Sequence, residues 1–280
     1  MCQLQAYAIL ISMGRMTSIP ETTRVQTGAH PLLLPGESRL PAILLLHGYT
    51  GYPGDMRHLA TALNQAGYTV SVPRYPGHGT NNRDFRASSW RDWLRRGIDA
   101  YLDLAGRHEH VVVGGLSMGG LIAAIVAARF PVERLMLFAP AFRTVNPLVA
   151  LTPILRWVVP PLRNSSPEQY DDAERQYMAD EYWNWQWPAQ TASLNRLMHI
   201  ARRSIPDVTV PTLTVVSDAD RSVPASVADF IDRRISTEQH YVVRLTESGH
   251  VVTNGSERDT VAETVVAWLG DAEVPAATRR

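Results

Sequence analysis

Apolar residues recur along this chain at two distinct periods. Short strand-like segments come first: Ala42 to Leu46, Tyr68 to Val72, Val111 to Val113, Leu135 to Phe138, Pro211 to Val216 and Gln239 to Leu245. Ala42 to Leu46 is a continuous apolar run, which predicts a strand covered on both faces. Between them lie longer segments with helical spacing. Asp55 to Ala66 ends at Gly67, and Trp90 to Ala105 carries Trp93, Leu94, Ile98, Tyr101 and Leu102 on one side. Leu121 to Phe130, Ala225 to Ile235 and Asp259 to Leu269 complete the set. Val25 to Leu34 is expected as one arm of a hairpin turned by Pro35-Gly36-Glu37, and Pro275 as the mark of a frayed tail. Strands alternating with helices predict an α/β fold: a mostly parallel central sheet with helices on both faces.

One stretch breaks this rhythm. Residues 141–190 hold Pro147, Pro153, Pro160, Pro161, Pro167 and Pro188, with Trp157, Trp183, Trp185 and Trp187. Fifty residues are too many for a connection inside a compact domain. Leu148 to Leu151 and Ile154 to Val159 are too apolar for a free loop. The segment is expected to be a small cap inserted into a single domain spanning 25–270. Its Leu151, Ile154, Leu155 and Trp157 are candidates to line a substrate channel, although ordinary packing would use the same residues. Residues 1–24 are expected to pack loosely, and Met13 or Met16 could serve as alternative starts.

Composition narrows the choice of function. The 280 residues carry 27 basic and 27 acidic side chains, so the formal net charge is zero. The Arg-Arg pairs are scattered, and nothing marks a nucleic-acid partner. Little net charge also means little protection against self-association, so a monomer or a homodimer is expected. The only cysteine, Cys2, excludes an intrachain disulfide and a thiolate metal site, and fits a cytoplasmic, reducing location. The mildly apolar stretch from Leu4 to Met13 is too short to span a bilayer and lacks a signal-peptide pattern. No phosphate loop, dinucleotide fingerprint or zinc-hydrolase histidine pair occurs, so neither metal nor cofactor is expected.

The chemistry centres on Gly114-Gly115-Leu116-Ser117-Met118-Gly119-Gly120. Gly115, Ser117 and Gly119 fill the G-x-S-x-G pattern between an apolar strand and an apolar helix. A sharp strand-to-helix turn would lift the Ser117 hydroxyl off the sheet edge, and side chains on its flanks would crowd it. A serine nucleophile needs a base, and the base needs an orienting acid. His250 follows Glu247-Ser248-Gly249 directly after the last strand. Asp218 and Asp220 both follow the strand that ends at Val216. Asp220 is preferred because it stands just before the turn into the next helix, which leaves Asp218 to hydrogen-bond a turn. Backbone N–H groups of Met118 and Tyr49 would form the oxyanion hole, since His47-Gly48-Tyr49-Thr50-Gly51 follows an early strand. His47 and His78 are read as residues that shape loops.

Taken together, these phrases resemble the α/β-hydrolase superfamily, and most of all bacterial carboxylesterases and monoacylglycerol lipases with a small cap. The supporting segments also include Pro76-Gly77-His78-Gly79, Asp220 to Pro224 and Ser248-Gly249-His250. The resemblance implies an α/β-hydrolase fold with Ser117 as nucleophile, His250 as base and Asp220 as acid. It implies a small-molecule acyl ester as substrate, of medium to long chain, and it allows transient contact with lipid aggregates. Ser217 stands where many relatives carry glycine, which keeps Asp218 as a rival. A thioesterase or another acyl hydrolase is the alternative, and a non-catalytic ligand-binding protein a more distant one.

Overall fold

The computed structural model describes residues 24–272 and the backbone of 277–279. Eight strands form one sheet. They are β1 (Leu32–Leu34), β2 (Ala42–Leu46), β3 (Thr69–Val72), β4 (Val111–Leu116), β5 (Leu135–Phe138), β6 (Thr212–Ser217), β7 (His240–Leu245) and β8 (Ala277–Arg279). Their spatial order is β1-β3-β2-β4-β5-β6-β7-β8. Every pairing from β3 to β7 is parallel, and the two edge strands run antiparallel. The central parallel strands are fully buried: β2 and β5 are unbroken apolar runs, and β6 buries Thr212, Thr214 and Ser217 among its Leu and Val residues.

The period of two along β2 divides the core. Ala42, Leu44 and Leu46 point into one apolar layer, and Ile43 and Leu45 into the other. Helices α1 (Arg57–Gln65), α2 (Asn82–Ala87), α3 (Trp90–Ala105), α4 (Met118–Ala127), α5 (Pro188–Ser204), α6 (Val227–Asp232) and α7 (Arg258–Leu269) surround this sheet. Trp93 of α3 and Ile122 of α4 fill the first layer, while Leu59 of α1 and Trp268 of α7 fill the second. All ten residues of α4 are buried.

Several elements differ from the sequence expectation. β1 is not a hairpin arm. The turn at Pro35-Gly36-Glu37 is held by Gly36 N–H to Thr69 Oγ1 at 3.0 Å and Glu37 N–H to Gly67 O at 2.7 Å, and β1 pairs with β3. β3 therefore sits between β1 and β2. Leu102 faces solvent instead of the core. The sequence pattern does not predict helices α2 and α5. Residues 277–279 form an edge strand where a frayed tail is expected, and Pro275 lies outside the described residues. The loose segment expected for 1–24, with Cys2, Met13 and Met16, lies outside them except for Arg24.

The helical cap is inserted after β5. It holds short helices at Thr152–Leu155 and Ala173–Met178 and a two-stranded ribbon, Leu162–Arg163 with Trp185–Gln186. Its second half is tied to the body. Thr80 N–H donates to the Tyr182 hydroxyl at 2.8 Å, Tyr177 donates to Thr80 O at 2.6 Å, and Trp183 Nε1 donates to Thr50 O at 3.1 Å.

Candidate active site

Parallel strands present their C-terminal ends along one edge of the sheet, where loops can converge on a ligand. Ser117 follows β4, Asp220 follows β6 and His250 follows β7. The register aligns these ends: Leu46 pairs with Gly115, Leu116 with Phe138, and Ser217 with Leu245.

Ser117 occupies a strained turn, with φ 54° and ψ −112°. A side-chain-bearing residue in such a region costs on the order of 1–3 kcal/mol, so the surroundings must hold it there. They do so through Ser117 N–H to Phe138 O at 2.8 Å and Ala141 N–H to Ser117 O at 3.2 Å. The flanking glycines are required by close approach. A β-carbon on Gly115 would lie 2.2 Å from the Gly119 carbonyl, and one on Gly119 would lie 2.1 Å from Leu46 O. Ser117 also caps α4, whose first amides point at the turn.

His250 Nδ1 lies 2.7 Å from Asp220 Oδ2. The Asp220 side chain is buried, and its other oxygen accepts from Ser222 N–H at 2.7 Å and Val223 N–H at 3.0 Å. Burial pushes the carboxyl up. The hydrogen bond and charge of His250, with the two amides, outweigh burial and hold it below its ordinary value. An ionised Asp220 accepts from Nδ1–H, which leaves Nε2 free to act as a base. Asp218 instead pairs with Arg244 at 3.0 Å, with both side chains nearly half exposed. The turn-stabilising role expected for Asp218 therefore gives way to a surface ion pair between β6 and β7. Ser217 Oγ bridges the same loops, donating to Ser248 O at 2.5 Å and accepting from Ala219 N–H at 3.3 Å.

The loop after β2 passes against the elbow. A β-carbon on Gly48 would lie 3.5 Å from Ser117 Cβ. The Tyr49 ring turns away, packing on Phe85 and Trp93 with its hydroxyl 3.2 Å from Thr191 Oγ1. Among the described residues neither the Tyr49 nor the Met118 N–H donates to a turn or side-chain acceptor. His47 is buried and clamps this loop. Its Nε2 accepts from Tyr75 N–H at 3.3 Å, so Nδ1 carries the proton toward Gly48 O at 3.0 Å. Burial first, then His78, keeps its pKa well below the ordinary value. His78, also buried, contacts Phe85 and Trp93, and burial lowers its pKa to about 4. Both histidines are neutral spacers at neutral pH.

A cavity of about 500 Å³ opens over Ser117 and His250. Its walls include Tyr52, Asp55, Tyr170, Trp183 and Asn254, with Tyr52 stacked on Trp183 at 6.4 Å. Sequence reasoning misses these residues as a wall. Tyr52 and Asp55 are legible only as a turn and a helix start, where the Asp55 carboxylate accepts from Tyr52 N–H at 3.2 Å. The four cap residues expected to line a channel do not reach this cavity. Leu151, Ile154 and Trp157 face solvent, and Leu155 is half-buried. The cap presents its 168–183 stretch to the site because that stretch is tied to Thr50 and Thr80.

Asp55 brings another carboxyl to this site. Burial raises its pKa to about 6, against the pull of Tyr52 N–H and of His250. A carboxyl with a raised folded value holds its proton more tightly when folded. It favours folding most below about pH 4, and that contribution is lost as pH rises through about 6. Asp55→Asn is therefore expected to gain stability over the parent at pH 8, by no more than about 3 kcal/mol given its partial exposure. The gain should vanish near pH 4. Thermal melts of both proteins across this range check it, and a difference independent of pH would refute the assignment.

Among the described residues no helix is long and apolar enough to cross a membrane. A family model described as "Serine aminopeptidase, S33" matches residues 38–257. The thermostable monoacylglycerol lipase of Bacillus sp. (strain H-257) is 32% identical over 240 residues, covering 85% of this chain and 93% of that protein. The carboxylesterase of Bacillus subtilis (strain 168) is 27% identical over 232 residues, covering 81% of this chain and 92% of the relative. A structure from work on the metagenome-derived lipolytic enzymes LipS and LipT superposes with a TM-score of 0.78 at 28% identity. It covers 89% of this chain and all of the other.

Proposed function

The chain belongs to the α/β-hydrolase family whose model is described as serine aminopeptidase S33, and from that premise we propose that it is a serine hydrolase of carboxylic esters with Ser117, His250 and Asp220 as its triad. The observation that carries this reading is the 2.7 Å contact between His250 Nδ1 and the buried Asp220, at the mouth of a cavity that Ser117 also lines. Ser117 Oγ attacks the acyl carbon while His250 Nε2 takes its proton. The tetrahedral oxyanion is held by the Tyr49 and Met118 amides, where the start of α4 also favours negative charge. Collapse expels the alcohol, protonated by His250, and leaves an acyl group on Ser117. Water then enters by the same route, and His250 acts as base a second time.

The substrate favoured is a medium-chain acyl ester, either a simple ester or a monoacylglycerol. Likeness to the Bacillus monoacylglycerol lipase and carboxylesterase supports the ester class. The cavity wall is mixed: Leu116, Val251 and the Tyr52–Trp183 stack are suited to an acyl chain, and Asp55 and Asn254 to hydroxyls of the alcohol. Each methylene that stays buried adds about 0.8 kcal/mol, close to fourfold in kcat/KM when retained in the transition state. A series of p-nitrophenyl esters from acetate to palmitate, with monoacylglycerols and acyl-CoA alongside, tests this. kcat/KM should climb to a medium chain and then level. A maximum at acetate would remove the acyl site, and preference for acyl-CoA would make the protein a thioesterase.

A further inference from the structure

The first half of the cap carries apolar and basic side chains and no acidic ones. From Arg143 to Arg163 there are three arginines and neither Asp nor Glu, in a chain whose overall charge is balanced. Arg156 lies on the wall shared by two adjoining grooves outside the active site. One is lined by Arg83 and Arg86 of α2, and the other by Arg91, Arg196 and His199. Arg83 and Arg86 stand three apart on α2 and so share a face. No carboxylate lines either groove, and among the described residues none of these five arginines forms an ion pair. Among the described residues the grooves thus hold arginines with no carboxylate in ion-pair contact. Burial first, then Arg202, Arg196 and Arg203, depress the pKa of His199.

Next to Arg156 the cap exposes large aliphatic and aromatic surface. Ile154, Trp157 and Val158 are 72%, 77% and 76% exposed, with Leu151 beside them. Trp157 lies under Arg156 at 4.6 Å, and Trp90 under Arg91 at the same distance. Grouped apolar side chains in water mark a surface that something else covers. We propose that this face of the cap docks on an anionic phospholipid bilayer, with headgroup phosphates held in the Arg83–Arg86–Arg156–Arg196 grooves and Ile154, Trp157 and Val158 entering the acyl boundary. Charge decides the class of lipid, since arginines with no carboxylate partner attract phosphate. The aliphatic residues decide between bilayer and nucleic acid, because Ile154 and Val158 gain nothing against bases and phosphates but gain from a hydrocarbon edge. Trp and Arg together suit the interface between the two. This surface does not include the cavity over Ser117, so the proposal stands apart from ester hydrolysis.

The test is sedimentation of the full chain with vesicles, made in a Ser117→Ala background so that no ester is turned over. The protein should bind vesicles of phosphatidylcholine mixed with phosphatidylglycerol, and should bind pure phosphatidylcholine far more weakly. Binding should fall steeply toward about 1 M salt. Arg86→Gln with Arg156→Gln should weaken it about thirty-fold, from about fivefold per basic side chain near an anionic surface. Ile154→Ser with Trp157→Ser should weaken it independently. Circular dichroism and thermal midpoints unchanged from the parent would show that the variants fold. Equal binding to neutral vesicles, or arginine variants that bind as the parent does, would overturn the proposal. So would displacement by inorganic phosphate at matched ionic strength, which would make the grooves a soluble-anion site. Tighter binding to a single-stranded oligonucleotide than to vesicles would reassign the face to nucleic acid.

Discussion

Ser117→Ala is expected to lower kcat/KM on p-nitrophenyl esters by about a thousandfold or more, with the fold intact. The substitution removes one oxygen and keeps the β-carbon that the elbow already accommodates at φ 54°. The hydrogen bonds that position the turn, from Ser117 N–H to Phe138 O and from Ala141 N–H to Ser117 O, are backbone bonds and survive it. Loss of activity would then report the nucleophile and not a collapsed site. Residual turnover would then report the proposed oxyanion hole at the Tyr49 and Met118 amides and the cavity, acting without a covalent step. An organophosphorus inhibitor followed by mass spectrometry gives the direct check. Its adduct should sit on Ser117, and an adduct on another serine, or unchanged turnover in the variant, would remove Ser117 from the mechanism.

The parts of this molecule that are legible in the sequence are those where one constraint dominates. A parallel strand buried on both faces is predominantly apolar, so β2, β5 and the start of β4 show themselves as runs, and β6 as a run of Leu and Val interleaved with small buried threonines. The elbow is legible because Gly115 and Gly119 have no room for a β-carbon. The choice of Asp220 over Asp218 rests on position in the turn, and the structure brings Asp220 to His250 while Asp218 meets Arg244. Where two constraints compete, the sequence is ambiguous. Helix α5 carries Leu194, Leu197, Met198 and Ala201 at helical spacing, but interspersed polar and charged residues hide it, and Pro188 reads as a breaker although it opens the helix. The cap is the extreme case. Residues 147–159 fold as short turns with no sustained period, so no pattern says which side faces the body. Apolar character there suggests a channel wall, whereas Ile154 and Trp157 face outward. The wall instead includes Tyr170 and Trp183, and Trp183 is tied to the distant Thr50 loop by a hydrogen bond.

Asp220→Asn should cost kcat about four orders of magnitude, and Asp218→Asn less than about tenfold. The reason lies in the two oxygens of Asp220. Oδ1 accepts from Ser222 N–H and Val223 N–H, and Oδ2 faces His250 Nδ1. An asparagine keeps its carbonyl on the two backbone donors, because turning its NH2 toward them would leave three donors facing one another. That choice points the NH2 at His250 Nδ1. The imidazole must then accept there and carry its proton on Nε2, so the base that should deprotonate Ser117 is already protonated. The side chain has nearly the same shape in both states, so packing does not confound the comparison. Asp218 loses only an ion pair with Arg244 in which both partners are nearly half exposed, and such pairs contribute about 0–1 kcal/mol to stability. Steady-state kinetics of the two variants on one ester decides the matter. A larger fall in kcat for Asp218→Asn than for Asp220→Asn would transfer the orienting role to Asp218 and leave the His250 contact as packing alone.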